Sequence, residues 1–183
     1  ESSELNINYS DDAAQLLRRW VEDVRATAVD ATDVRGRDEE VLGLLVDSDW
    51  DTSKRELTES QQRDLLKLVC LQHGANFSVP GAGKTTVATA LHEVLRMRGV
   101  VDRLVVVAPK NAFQAWDDAV EDCLTTGLGR FTRLGGGREG IARLLQSRPQ
   151  RCITSYEHAG SKADLLIPYL TSDRVHLLLD ESH

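Results

Sequence analysis

The chain has 183 residues, 41% of them apolar and 28% charged, with a formal net charge of −7. That length holds one domain, with or without a small appendage. No apolar run approaches the roughly 20 residues needed to span a bilayer, which argues against a membrane partner. The acidic balance argues against a protein that holds nucleic acid by overall charge alone. That balance is uneven. Residues 1–56 carry 15 acidic and 7 basic side chains, a net of −8, whereas residues 57–183 carry 14 and 15, a net of +1. Cys70, Cys123 and Cys152 are scattered and form no CxxC pair. Such a sparse, odd set points to a reducing, cytoplasmic compartment and to buried structural thiols.

Residues 1–56 read as a mainly helical accessory segment. Asp11 and Asp12 open a pattern in which Leu16, Leu17, Trp20, Val21 and Val24 recur at helical spacing. A turn-like stretch is expected around Asp33 to Asp38, then a short apolar element from Val41 to Val46, then a polar linker from Asp47 to Arg55. The first helix either packs on its own domain or offers a surface to a protein partner.

From Leu57 the pattern changes to strands alternating with helices. Thr58 and Gln61 form a capping box that opens a helix running to about His73, with Gly74 after it. A short strand is expected at Asn76–Val79, then a glycine-rich turn, then a helix from about Lys84 to Arg98. Arg103–Ala108 reads as a buried strand and 111–124 as a helix. Phe131–Leu134 is a short strand, Ile141–Gln146 is helical and Arg151–Ser155 is a strand. Leu165–Leu170 is helical despite Pro168, and Val175–Leu179 is a strand ending at Asp180. This alternation predicts an α/β fold, a parallel sheet with helices on both faces.

Two segments carry chemistry. Ser78-Val79-Pro80-Gly81-Ala82-Gly83-Lys84-Thr85-Thr86 lies where a phosphate loop belongs, ahead of a helix. Glycines let backbone N–H groups converge on phosphate oxygens, and the helix N-terminus adds partial positive charge. Lys84 is placed to reach the β- and γ-phosphates of a nucleotide, and Thr85 to hold Mg²⁺ through its hydroxyl. Ser78 stands where the strict pattern has glycine. The second segment, Val175 to Glu181, is an apolar strand ending in two carboxylates. Asp180 is the candidate for the Mg²⁺ shell and Glu181 for orienting the water that attacks the γ-phosphate. His73, His92, His158 and His176 have no metal-ligand spacing, and His176 reads as a satisfied core histidine.

Ser78–Thr86 together with Asp180-Glu181-Ser182-His183 resembles the two nucleotide motifs of superfamily-two helicases of the DEAH-like kind. The chain between them resembles the Swi/Snf-like branch, through Ala108-Pro109-Lys110, Trp116, Leu134-Gly135 with Arg138, and Ile153-Thr154-Ser155-Tyr156-Glu157. Ser182 stands in place of Ala in DEAH, and Ala119 stands where the branch has Glu after the tryptophan. The resemblance covers residues 57–183. It implies a RecA-like P-loop NTPase lobe, ATP and Mg²⁺ as cofactors, and Gln61 as the residue that reads adenine. It also implies that Lys110 and Thr154–Tyr156 lie along a nucleic-acid backbone, and that His183 couples the nucleotide to a second lobe.

By the same resemblance the lobe is incomplete. A further strand of the family's sheet and the arginine fingers of a second lobe are missing, so the residues read as an excerpt of a longer polypeptide. The implied activity is ATP-driven movement on double-stranded DNA. A strand-separating or RNA helicase, and a nucleotide switch or scaffold without processive motion, are the alternatives.

Overall fold

A computed structural model describes residues 34–79, 81–125, 130–172 and 174–180. The first described helix, α1, is Val34–Val46, followed by α2 at Glu59–Val69 and α3 at Lys84–Met97. Strand β1 is Arg103–Val107, and a single 3-10 turn, Lys110–Ala112, leads into α4, Phe113–Cys123. Then come β2 at Thr132–Arg133, α5 at Arg138–Gln146, β3 at Arg151–Thr154, the short α6 at Tyr156–Ser161, α7 at Ala163–Ser172, and β4 at Val175–Leu179. The four strands form one parallel sheet in the order β2-β3-β1-β4. The fold is α/β, as the alternation of elements predicts.

Strand β1 explains the layering. Its sequence, RLVVV, is rich in β-branched residues and buried from Leu104 onward, as a central parallel strand covered on both faces must be. Alternation divides the sheet in two. Leu104, Val106 and Ala108 share one face with Ile153 and Leu178, and pack with Val87, Ala90, Leu91 and Val94 of α3 and Trp116 and Val120 of α4. Val105, Cys152 and Val175 share the other face with Ile141 and Leu145 of α5 and Leu166 and Tyr169 of α7. Helices therefore cover both faces.

The described part of residues 1–56 belongs to the first of these cores. Val41 and Leu45, one helical turn apart, are buried with Trp50 and Leu57 against α3 and α4. The stretch expected as a turn around Asp33 to Asp38 is helical from Val34 on, because that i, i+4 apolar pair anchors the helix behind it. The stretch expected as a linker is docked. Asp51 N–H donates to Cys123 O at 2.8 Å, Thr125 N–H donates to Asp49 O at 2.8 Å, and the Trp50 indole donates to Arg55 O at 2.9 Å. The helix expected at Asp11–Val24 lies outside the described residues.

Two further expectations are corrected. Helix α2 stops at Val69 instead of near His73, closed by i to i+3 bonds from Cys70 to Lys67 and from Leu71 to Leu68. Asn76–Val79 is not a strand. A strand needs a ladder partner; both edges of β1 are taken by β3 and β4, and the segment does not pair with the outer edge of β4. Phe77 is 93% exposed, and the segment is held by side chains. Ser78 N–H donates to Asn76 Oδ1 at 2.9 Å, and Ser78 Oγ donates to Asp64 Oδ2 at 2.9 Å.

Candidate nucleotide site

The glycine-rich turn has a defined shape. Gly81 and Gly83 both sit at positive φ, +83° and +81°, a region closed to most side chains. Gly83 is the N-cap of α3 and supplies no side-chain cap, so no side chain caps the amides of the first turn. Lys84 opens the helix and folds back over the turn, its Nζ donating to Ser78 O at 2.8 Å and to Val79 O at 3.4 Å. Thr85 is half-buried in the same turn. Thr86 is buried. Pro80 lies outside the described residues.

Gln61 braces this turn from α2. Its Oε1 accepts from Thr58 N–H at 3.0 Å, closing the capping box, and its Nε2 donates to Ala82 O at 3.1 Å. Gln61 is buried, and a Cβ on Gly83 would lie 2.3 Å from Nε2, so any other residue there would displace the brace. The Gln61 amide is thus spent on the helix start and the loop.

Asp180 comes to the same end of the sheet by topology. Helix α3 ends at Met97 and β1 begins at Arg103, so this short connection makes α3 run antiparallel to β1 and to its parallel neighbour β4. His92 of α3 stacks on His176 of β4 with ring centroids 5.7 Å apart. From that contact, Lys84 lies about 12 Å back along the helix and Asp180 about 13 Å forward along the strand, both towards the carboxyl ends of the strands. Asp180 itself is held at three points. Its N–H donates to Val107 O at 2.9 Å, its C=O accepts from Tyr156 OH at 2.8 Å, and its Oδ2 accepts from the Trp116 indole N–H at 2.8 Å. Glu181, Ser182 and His183 lie outside the described residues.

The opposite end of α3 is braced by buried charge. Glu93 is fully buried (0% exposed). Its Oε1 accepts from Arg151 of β3 at 3.2 Å and its Oε2 from Arg96 at 2.7 Å, and Arg96 also donates to Asp49 at 2.8 Å. Next to this network, Nδ1 of both His92 and His176 is buried without a hydrogen-bond partner. His176 is therefore not the satisfied core histidine expected from its place in an apolar strand. Burial, reinforced by the charges of His176, Arg151 and Arg96, pushes the His92 pKa down to about 3, and burial pushes that of His176 down to about 4. Burial also raises the thiols of Cys123 and Cys152 to about 11.

The candidates for a nucleic-acid track separate by exposure. Thr154 and Ser155 are buried, the Thr154 hydroxyl donating to Leu134 O at 3.0 Å and the Ser155 hydroxyl capping α6. Lys110 is exposed and pairs with Glu157 at 3.4 Å. Of the arginines between residues 130 and 151, Arg130 pairs with Glu121, Arg133 with Asp117 and Arg138 with Asp164, while Arg151 is the buried partner of Glu93. Among the described residues no helix is long and apolar enough to cross a membrane. Sequence reading placed Trp116 and Tyr156 in other roles. Their meeting at Asp180 spans 64 and 24 residues, and no local spacing encodes it. Comparison with models of known protein families gives no match, and neither does comparison with curated proteins.

Proposed function

We propose that this chain carries the ATP-binding part of a motor that moves on double-stranded DNA, built on a RecA-like lobe of the superfamily-two helicase kind. One observation carries the reading: a turn with two left-handed glycines opens a helix at Lys84, at the same end of a parallel sheet as Asp180. Ligand chemistry in open α/β sheets gathers at that end. The residues suit a nucleotide. The uncapped first turn of α3 offers amides to phosphate oxygens. The Lys84 ammonium, which donates to two neutral carbonyls, would gain charge-assisted bonds by turning to a phosphate.

Thr85 and Asp180 are the proposed holders of Mg²⁺. Among the described residues no group of three or more His, Cys, Asp and Glu could hold a metal unaided. A cation shared by one or two protein oxygens and the nucleotide is the usual Mg²⁺ arrangement. Bound there, Mg²⁺ would neutralise charge developing on the phosphates. Glu181 takes the water-orienting role from the resemblance alone, and so does the assignment of Lys110 and Tyr156 to a DNA track.

The test is ATP hydrolysis by the full-length polypeptide with no nucleic acid, duplex DNA, single-stranded DNA or RNA. Stimulation by duplex DNA, lost by at least about 100-fold in Lys84→Ala, is the expected result for a group stabilising phosphoryl transfer. Stimulation by RNA or single strands alone would replace the translocase with a helicase. Hydrolysis indifferent to every nucleic acid would replace it with a nucleotide switch.

A further inference from the structure

The indole of Trp116 donates to one carboxylate oxygen of Asp180 at 2.8 Å, across 64 residues of sequence. Trp116 is buried in the core of the α3–α4 face, with its ring edge-on to Phe131 at 5.9 Å and 78°. Packing therefore fixes the indole plane. An indole N–H only donates, so it selects an acceptor and holds it in one direction. Asp180 is also fixed along its backbone, through Val107 O on one side and the Tyr156 hydroxyl on the other. One carboxylate oxygen, Oδ2, is thus engaged by a rigid donor at the end of a strand whose main chain is pinned.

We propose that Trp116 is a positioning residue for the cation site: its indole N–H holds Oδ2 of Asp180 so that Oδ1 is kept for a divalent cation. The inference rests on the nucleotide reading above. Its competitor is a merely structural role, in which Asp180 only satisfies a buried indole. The two differ in what removal of the N–H does. A structural bond affects stability alone, whereas a positioning bond affects how far Mg²⁺ strengthens nucleotide binding.

The experiment measures ADP affinity of the full-length polypeptide by calorimetry, with Mg²⁺ titrated and with the metal chelated, for wild type, Trp116→Phe and Lys84→Ala. Loss of a hydrogen bond to a charged group predicts that Trp116→Phe lowers the Mg²⁺ enhancement of ADP affinity about 10-fold. Metal-free ADP affinity should stay within about twofold, since the indole bonds the carboxylate and not the phosphate loop. An undiminished Mg²⁺ enhancement in Trp116→Phe overturns the proposal and leaves the nucleotide site standing. ADP binding that is absent in wild type, or unchanged in Lys84→Ala, overturns the nucleotide site itself and the proposal with it.

Should Trp116→Phe fail to fold, the wild-type Trp116 indole ¹H–¹⁵N resonance decides, assigned through its contact with the Phe131 ring. A shift with Mg²⁺ and ADP together, and not with ADP alone, supports the proposal. A resonance that ignores the metal overturns it.

Discussion

The two faces of the sheet are built from the same strands but hold different things. The face under α3 and α4 buries charge and imidazole: Glu93, Arg151, Asp117 and His92, which stacks on the half-buried His176. The face under α5 and α7 is apolar, and over β4 it opens into a groove of about 410 Å³ lined by residues such as Val107, Ala163, Leu166, Leu177 and Leu179. In β1 the change of face occurs between adjacent residues, Val105 and Val106. The comparison teaches where rigidity is concentrated. Buried ions add little net stability, but each fixes its partners, since an ion left without one is costly. The face that carries the glycine turn is therefore locked at the far end of α3, while the groove face has no buried ion among the described residues.

The largest test of this contrast is Glu93→Ala. It strands Arg151 in the interior, and denaturant unfolding should show a loss of about 3–5 kcal/mol. A loss below about 1 kcal/mol would mean that the network is solvated and that the two faces are energetically alike.

Acid is the next probe. An ordinary histidine titrates near 6.5, whereas His92 and His176 are held at about 3 and about 4 by burial. Between these values the unfolded chain binds protons that the folded chain refuses, so stability is complete above 6.5 and falls as pH drops towards 4. By pH 5 the pair should cost roughly 1–2 kcal/mol per histidine. Replacing both by phenylalanine should flatten that slope, measured as melting temperature against pH. An unchanged slope would remove the histidines from the account.

The smallest effect belongs to the groove. Leu179 is 55% exposed, so Leu179→Ser should shift stability by no more than about 0.5 kcal/mol. A larger loss would show that the groove is packed as tightly as the face opposite.

Much of this fold was legible because its signals are local. The Val-rich run of β1, the apolar run of β4 and the Thr58–Gln61 capping box each contain their own cause, and the structure has all three. The local shape of the glycine turn was legible for the same reason, since Gly81, Gly83 and Lys84 are neighbours. Legibility failed where the cause is distant. Asn76–Val79 has strand-like residues, but the places beside β1 are filled and the segment does not pair with the outer edge of β4. The stretch from Asp47 to Arg55 is polar, yet Trp50 within it is buried in a core built from α3 and α4. The Trp116–Asp180 bond joins two segments that no periodicity relates. His176 read as satisfied because a sequence gives a residue's surroundings along the chain but not the ring stacked on it.

Gln61 also explains a choice of amino acid that the helix alone leaves open. A capping box accepts glutamate as readily as glutamine at its third position, and either would serve the start of α2. Only the amide also has a donor for the carbonyl of Ala82. A carboxylate would repel that oxygen. The identity of residue 61 is thus set by the loop it touches and not by the helix it begins.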